Sequence, residues 1–414
     1  MTIDIANIRQ LEIRLHGRPI GNITRLASDQ HVFGFDEAYL VDEDRDTLSL
    51  SFKRRGGGLL ETTRTVRQRL PEFFSNLLPE GHLRQYIAEK VGVHADREFA
   101  LLAYLGQDLP GAITAVPVGD DGSTSTGADP GTADADADEG ALRFSLAGVQ
   151  LKFSAVMEAN GGLTIPADGI GGKWIVKLPS NTYPSVPENE YAMMELARAV
   201  GIEVPDISLV PIDSIKGLPA PAANMEGRAL IVRRFDRAAE GGLVHIEDFA
   251  QVFSIFPSEK YRHRSYANIA AVIAAECGSG AAEDFFRRIV FTTFIGNGDM
   301  HLKNWSLIYR DRKIPSLAPA YDYVATLPYI PGDSHGLSFG KSKDLHTITR
   351  DQVRRFADTA GLAPAPLWSI VEEAIETIPV AWKTHEPRAA LSGQLDDAID
   401  QHIGAVAIAI GSQS

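Results

Sequence analysis

Alternating apolar and polar positions mark the first part of the chain. The segments "QLEIRLHGRPIGNITR", "HVFGFDEAYL" and "TLSLSFKR" have period-two alternation interrupted by turn residues, which predicts a small antiparallel sheet over the first 55 residues. Helical spacing follows in "LPEFFSNLLPEGHLRQYIAEKVGV" and "DREFALLAYLGQDLPGAITAVP". Residues 1–118 are therefore predicted to form a compact α+β subdomain.

A second α+β pattern occupies the chain from residue 141 onward. Strands are predicted in "LRFSLAGVQLKFSAVM", "GKWIVKLPS" and "RALIVRRFDR", and a helix in "SVPENEYAMMELARAVGIEVP". Ser185 and Glu188 have the spacing of a capping box, with Pro187 in the first turn and Gly201 at the helix end. Helical patterns dominate from about residue 246, and "AAEDFFRRIVFTTFIGN" leads into "GNGDMHLKN" and the strand-like "WSLIY". A β-rich small lobe over 141–237 and a helical large lobe over 238–414 are the prediction.

The segment 119–140, "GDDGSTSTGADPGTADADADEG", separates the two patterns. It has no apolar residue larger than Ala, so it cannot offset the entropy of ordering and is predicted to be a flexible linker. The 414 residues, of which 44% are hydrophobic and 23% charged, are typical of a soluble globular protein of two domains. The formal net charge of -14, half of it in the linker, argues against a self-contained nucleic-acid surface.

Membrane and disulfide chemistry are both disfavoured. No run approaches the roughly 20 apolar residues that cross a bilayer, and the first residues do not resemble a signal peptide, so we expect a cytoplasmic protein without a membrane partner. Cys277 is the one cysteine, which excludes an internal disulfide and a Cys-based metal cluster. Its place in "AAECGSG" predicts an ordinary helix-end residue.

The cluster "GNGDMHLKN" by itself is compatible with a metal site, a phosphoryl-transfer loop or a capped polar turn. Asp299 and Asn304 have the spacing of the protein-kinase catalytic loop, in which the Asp accepts the hydroxyl proton and the Asn binds magnesium. Asp322, in "APAYDYVAT", is placed to supply a second metal-binding carboxylate. His301 is a weak zinc signal because no second cluster supplies further ligands; we expect it to pack beneath the loop.

Three further features fit phosphoryl transfer, each with an ordinary alternative. Lys177 lies in "WIVKL" on the face opposite Val176, where it is a phosphate-binding or a solvated lysine. Glu190, in the first turns of the next helix, either pairs with Lys177 or complements the helix dipole. The segment "SLAGVQLK" is either a loop over the phosphates or a tight hairpin, since neither GxxxxGK[ST] nor GxGxxG occurs in the chain.

Taken together, these motifs resemble the HipA-type toxin serine/threonine kinases of bacterial toxin–antitoxin pairs. The ordered set comprises "FSLAGVQLKFSAV", "WIVKLPS", "ENEYAMMELARAVGIEVP", "ALIVRRFDR", "IEDFAQVF", "GNGDMHLKNWSLIY" and "AYDYVAT". The stretches "FFSNLLPEG" and "LLAYLGQDLPGA" resemble the amino-terminal domain of that family. The resemblance covers nearly everything except the acidic linker, and it implies an α+β, protein-kinase-like two-lobed fold that uses ATP and Mg²⁺.

The resemblance also implies roles for individual residues. Asp299 would be the catalytic base, Asn304 and Asp322 would bind Mg²⁺, and we expect Lys303 to face the transferred phosphate. The nucleotide would contact Ser145, Leu146, Ala147, Gly148, Val149, Gln150 and Lys152 of the loop, Lys177 with its partner Glu190, and Val232, Arg233, Arg234 and Phe235 of the hinge. Autophosphorylation of Ser145 would eject the loop, because nearly two added negative charges cannot stay beside the ATP phosphates.

Two positions depart from the family pattern. Arg233 stands where the hinge usually has an acid, so the resemblance does not extend to adenine contacts through that side chain. Leu151 in "GVQLK" removes a polar group near the nucleotide.

The family implies a growth-arresting kinase with a protein substrate and a small partner. The expected substrate is an aminoacyl-tRNA synthetase, glutamyl-tRNA synthetase first and tryptophanyl-tRNA synthetase next. The expected partner is a HipB-like helix-turn-helix antitoxin, through which the pair would bind operator DNA. Two alternatives stay open: a small-molecule or phosphoinositide-like kinase, which shares the D-x-H-x-x-N pattern of "GNGDMHLKN", and a catalytically silent co-repressor that acts by binding the antitoxin.

Overall fold

A computed structural model describes most of the chain. The described residues are 8–54, 58–119, 152–157, 163–165, 172–180, 182–218, 222 and 224–412. The predicted phosphate loop, from Ser145 to Leu151, and all of the predicted linker except Gly119 lie outside the described residues.

The amino-terminal subdomain is built on an antiparallel sheet with strand order β4-β3-β2-β1-β5. The sheet predicted in the first part of the chain is confirmed for its first three strands, because "TLSLSFKR" forms a 3-10 turn and "AITAVP", predicted to be helical, supplies β5. The helix before β5 is followed by Gly106, which lies very close to that strand. A Cβ at this position would be 2.0 Å from the Ala115 carbonyl oxygen, so a larger residue would collide with β5. The elements are β1 Gln10–Leu15, β2 Arg18–Leu26, β3 Gln30–Phe35, α1 Glu37–Leu40, β4 Val66–Arg67, α2 Glu72–Ser75, α3 Gly81–Val91, α4 Glu98–Leu105 and β5 Ile113–Pro117.

The small lobe contains a sheet with strand order β10-β7-β6-β8-β11-β9 and one long helix. The predicted capping box at the start of that helix is wrong: Ser185 has a φ of 54° and makes no side-chain cap. Glu188 instead lies 3.1 Å from the Arg228 guanidinium on β11, so a tertiary ion pair replaces the predicted capping hydrogen bonds. The elements are β6 Lys152–Met157, β7 Leu163–Thr164, β8 Trp174–Lys177, α5 Val186–Ala199, β9 Ile207–Pro211, β10 Ile215–Lys216 and β11 Arg228–Arg233.

The large lobe is mainly helical, with a small antiparallel sheet at its start. The strand predicted in "WSLIY" and the position of Cys277 at a helix end are both confirmed. In the described part of the chain, no helix combines the length and apolar content that crossing a bilayer requires. The elements are β12 His245–Asp248, α6 Phe249–Val252, α7 Tyr266–Cys277, α8 Ser279–Phe294, β13 Ser306–Tyr309, β14 Ser316–Leu317, α9 Arg350–Ala360, α10 Pro364–Lys383 and α11 Gly393–Gly411.

Helix α5 connects the cores of the two lobes. It follows β8 along the chain, yet its apolar residues Met194 and Leu196 belong to the same buried cluster as Phe285 and Phe294 of α8. Val176 and Leu178, around the end of β8, belong to the separate core of the small lobe. A polar side chain at the start of α5 therefore lies where the two lobes meet.

Candidate active site

Lys177 and Glu190 form a buried ion pair between the sheet and helix α5. Lys177 ends β8, an interior strand that pairs with β6 and β11, and its side chain is 4% exposed. Glu190 is 1% exposed, and its Oε1 accepts a hydrogen bond from Lys177 Nζ. The pairing expected from the sequence is present, because α5 brings its first turns over the carboxyl end of β8.

Asp322 joins this pair from the large lobe. Lys177 Nζ also donates to Asp322 Oδ1, and Lys152 Nζ on β6 lies 3.4 Å from Asp322 Oδ2. Burial acts to raise the pKa of Asp322, but the two ammonium groups outweigh it and hold that pKa well below the usual range. Asp322 has a φ of 59°, a left-handed conformation that Asp tolerates better than most residues. The Asp322 carboxylate is thus in contact with two ammonium groups.

The segment 296–304 forms a tight loop immediately after α8. Gly298 donates its N–H to Thr326 Oγ1 at 2.8 Å, and a Cβ at this position would collide with the Asp333 carboxylate at 2.2 Å. Asn304 Nδ2 donates to the carbonyl oxygen of Asp299 at 2.9 Å, which closes the loop. Asp299 and Asn304 are therefore brought together as the spacing suggested.

Asn297 links this loop to Asp322, and sequence reasoning did not single it out. Its Oδ1 accepts the Asp299 N–H at 3.0 Å, and its Nδ2 donates to the Asp322 carbonyl oxygen at 3.3 Å. The side chain is fully buried. The available signal was an amide between two glycines directly after an apolar helix, in a place where a buried amide has to serve two backbone partners.

Tyr261 is a second site residue that the sequence did not reveal. Its hydroxyl donates to Asp299 Oδ1. Desolvation by the surrounding residues raises the pKa of Asp299, and the charge of Asp322 adds to the increase, while the Tyr261 hydrogen bond and Lys260 oppose it. Tyr261 belongs to the basic stretch "KYRHRSY", whose sequence gave no sign that it folds against the loop at 296–304.

His301 packs beneath the loop, as predicted. It is 6% exposed, and its ring meets the Tyr261 ring edge-on at a centroid distance of 4.9 Å. Burial lowers the pKa of His301 to about 3, so the imidazole is neutral at physiological pH. Within the described residues, no group of three or more His, Cys, Asp or Glu side chains is arranged to hold a metal ion.

Lys303 contacts the amino-terminal subdomain. Its Nζ lies 2.8 Å from Glu80 Oε1 and donates to the Asn76 carbonyl oxygen at 3.1 Å. The expectation that Lys303 faces a transferred phosphate stays a prediction; the structure shows an ammonium group held by a carboxylate of another subdomain.

The predicted hinge lies at the end of β11. Val232 pairs in register with Ile175 and Ile207, and Arg233 lies 3.2 Å from Asp206. The Arg234 guanidinium is buried between Asp108 at 3.0 Å and Asp236 at 2.9 Å. Both arginine side chains are therefore committed to protein carboxylates.

Phe235 connects the predicted hinge to the carboxylate of the large lobe. Its ring lies 5.7 Å from that of Tyr321, the residue before Asp322. The hinge and the Asp322 loop are therefore in contact. The structure brings together Lys152, Lys177, Glu190, Asp299, Asn304 and Asp322, and leaves Ser145 to Gln150 outside the described residues.

Two family models match the chain. The model of the HipA-like C-terminal domain matches residues 144–382, and that of the HipA N-terminal domain matches residues 11–116. The chain belongs to the HipA family.

Individual relatives agree with this assignment. A protein of Sinorhizobium fredii named "Putative kinase Y4dM" is 48% identical over 95% of this chain and 96% of its own length. The serine/threonine-protein kinase toxin HipA of Shewanella oneidensis is 28% identical over 78% of each chain. In solved structures, HipA of Shewanella oneidensis in complex with HipB and its operator DNA matches with a TM-score of 0.74, at 24% identity and over 97% of both chains. The α+β, two-lobed kinase-like fold of this HipA family member is confirmed.

Proposed function

We propose that this HipA family member is an ATP- and Mg²⁺-dependent serine/threonine protein kinase that arrests growth. The observation that carries the proposal is the joint position of Asp322, which is held by Lys177 from the small lobe and linked through Asn297 to Asp299. A phosphoryl-transfer site needs a cation for the phosphates, a metal-binding carboxylate and a base beside one another. Lys177, Asp322 and Asp299, which we assign to these three roles, come from separate parts of the chain and support the proposal by their proximity.

The residues present fit Mg²⁺. Asp322 offers carboxylate oxygens and Asn304 an amide oxygen, and Mg²⁺ prefers such oxygen donors, usually one or two from protein together with substrate phosphates. The two ammonium groups at Asp322 indicate that this position stabilises positive charge. When bound, Mg²⁺ would neutralise part of the negative charge on the ATP phosphates.

The remaining chemistry falls to side chains of the chain itself. Lys177, oriented by Glu190, would hold the phosphates, and a phosphate-binding role for Lys152 is favoured by its place beside Asp322. Asp299 would orient the serine or threonine hydroxyl and accept its proton as the hydroxyl oxygen bonds to the γ-phosphorus and the bond to ADP breaks. Asn297 would keep Asp299 and Asp322 in fixed relation. The products are a phosphorylated protein and ADP.

The substrate and partners are proposed on the names of the relatives and on the family resemblance. Shewanella HipA is named a toxin and has been solved with HipB and operator DNA. We propose a HipB-like antitoxin as partner, operator DNA as a contact of the pair, and a cytoplasmic location. The proposed target is an aminoacyl-tRNA synthetase, glutamyl- or tryptophanyl-, and Ser145 is the proposed site of autophosphorylation.

Phosphoproteomics after induced expression tests this function. Wild type is compared with Asp299→Ala and with Asp358→Ala, a matched control at an exposed position of α9. We expect phosphorylation of a synthetase serine or threonine, phosphorylation of Ser145 and growth arrest with wild type and control, and none of these with Asp299→Ala.

Other outcomes separate the alternatives. Transfer to small alcohols or lipids by purified protein, without protein phosphorylation, would identify a small-molecule or phosphoinositide-like kinase. Growth arrest that persists in both Asp299→Ala and Asp322→Ala would identify a non-catalytic co-repressor.

A further inference from the structure

One carboxylate of the amino-terminal subdomain reaches the proposed catalytic loop. Glu80 Oε1 lies 2.8 Å from Lys303 Nζ, and Glu80 Oε2 lies 3.0 Å from Lys260 Nζ. Burial acts to raise the pKa of Glu80, but the two lysines outweigh it and lower that pKa to about 2. Glu80 is therefore an anion shared by two cations from different segments of the large lobe.

These two lysines flank Asp299 along separate stretches of chain. Lys303 directly precedes Asn304, whose side chain donates to the Asp299 carbonyl oxygen. The Lys260 carbonyl oxygen accepts a hydrogen bond from the Leu302 N–H at 3.2 Å. The residue after Lys260 is Tyr261, which donates to the Asp299 carboxylate. By joining Lys260 to Lys303, Glu80 connects the two segments that hold Asp299.

The part of the subdomain that carries Glu80 is anchored on the large lobe by buried hydrogen bonds. Asn76 Nδ2 donates to the Ile255 carbonyl oxygen at 2.8 Å, and Gln251 Nε2 donates to the Phe73 carbonyl oxygen at 3.1 Å. Lys303 itself donates to the Asn76 carbonyl oxygen at 3.1 Å. The backbone before Glu80 is thus held in place, so the carboxylate is presented to the lysines from a fixed position.

We propose that Glu80 is a positioning residue for phosphoryl transfer, acting through Lys303 and Lys260 to hold the loop that bears Asp299. This inference rests on the proposed kinase function and adds a residue from the amino-terminal subdomain to its machinery. Without the carboxylate, two ammonium groups face each other with no anion between them, and the segments on either side of Asp299 keep only the Leu302–Lys260 and Tyr261–Asp299 hydrogen bonds. A small displacement of a positioned base lowers the rate of the chemical step, while ATP binding through Lys177 and Asp322 is unaffected.

The test uses the full chain with Glu80→Gln, which keeps the size of the side chain and removes its charge. The matched control is Asp44→Asn, because Asp44 forms a second ion pair between the same subdomain and the large lobe, with Lys313. We expect Glu80→Gln to lower kcat about 10-fold with the KM for ATP changed less than about twofold, and Asp44→Asn to behave as wild type. In a Lys303→Met background, Glu80→Gln should have a much smaller effect, since residues that act through one another are not additive.

Three results would overturn the inference: a kcat of Glu80→Gln equal to that of wild type, an equal loss in Asp44→Asn, or full additivity with Lys303→Met. Glu80→Asp serves as a second variant, which restores the charge and is expected to recover part of kcat. Amide hydrogen exchange of residues 298–304 gives a readout independent of activity. If the wild-type protein has no kinase activity, that result refutes the proposed function alone. The inference about loop positioning would then stand if amide hydrogen exchange of residues 298–304 is faster in Glu80→Gln than in Asp44→Asn. It would fall if the two exchange rates are equal.

Discussion

Lys177 Nζ on β8 donates to Glu190 Oε1 on α5, and both side chains are buried. Because β8 belongs to the small-lobe sheet and the apolar face of α5 packs into the large-lobe core, this ion pair lies where the two lobes meet. A buried pair of this kind contributes little net stability, but removing one partner leaves an uncompensated charge.

Lys177→Met is expected to lower the free energy of unfolding by about 3 kcal/mol, because the Glu190 carboxylate stays buried without its cation. The double variant Lys177→Met/Glu190→Gln removes that charge and should regain part of the stability, because Asp322 then keeps only Lys152 as its cation. It should not regain phosphotransfer. Urea unfolding and a phosphotransfer assay measure the two properties separately. Lys173→Met, an exposed lysine next to β8, is the control; a loss in Lys177→Met no larger than in this control would contradict the prediction.

Asp299→Asn is expected to reduce kcat by about 10²- to 10⁴-fold, which is the range for loss of a general base. The side chain is exposed to solvent, so the midpoint of thermal unfolding should change little. Single-turnover phosphotransfer and thermal unfolding are the measurements, with Asp358→Asn on α9 as the control. Retention of wild-type kcat in Asp299→Asn would exclude Asp299 as the base.

Tyr261→Phe is expected to move the acidic limb of the kcat/KM profile to higher pH. The Tyr261 hydrogen bond lowers the pKa of Asp299, so its removal raises that pKa, and protonation of the base begins at a higher pH. The ring and its contact with His301 are kept. Rates measured from pH 4 to 8 in both proteins give the shift; an unchanged limb, or one displaced toward lower pH, would show that the hydroxyl does not tune Asp299.

Glu247 forms a buried contact between the amino-terminal subdomain and the large lobe. The carboxyl on β12 accepts hydrogen bonds from Ser49 Oγ at 2.5 Å, from the Leu50 N–H at 3.1 Å and from the Tyr309 hydroxyl. Burial raises the pKa of Glu247 to about 7, although these hydrogen bonds oppose the increase. In the unfolded chain the same carboxyl ionises near its ordinary value of 4.5.

Glu247→Gln is expected to stabilise the protein at pH 8 and to change little at pH 4. The folded state binds more protons than the unfolded state between about pH 4.5 and 7, so this group's contribution to stability is present below that range and is lost as the pH rises through it. The expected difference in the free energy of unfolding at pH 8 is about 3 kcal/mol. The Gln amide can donate to Ser49 Oγ in place of accepting from it. Unfolding free energies of both proteins across pH 4 to 8 measure the effect; a constant difference would refute it.

Much of the local structure follows from the sequence because its determinants are close together along the chain. Period-two alternation identified β1 to β3, and the helical spacing before "GNGDMHLKN" identified α8 and placed a polar loop at its end. The order of motifs such as "WIVKLPS" and "AYDYVAT" sufficed to indicate the family. The sequence failed where a distant partner outweighs a local preference: Glu188 pairs with Arg228 instead of capping α5, and "AITAVP" becomes a strand because it pairs with β1.

The sequence by itself therefore determined most of the succession of strands and helices, the identity of the family and the residue types available for chemistry. Only the tertiary structure decided which of them meet: Tyr261 and Asn297 at Asp299, Lys152 at Asp322, and Glu80 between Lys260 and Lys303. The physical reason is that these contacts join segments far apart in the chain, and their charges and hydrogen-bonding groups become partners only after packing of the cores has fixed the distance and desolvation between them.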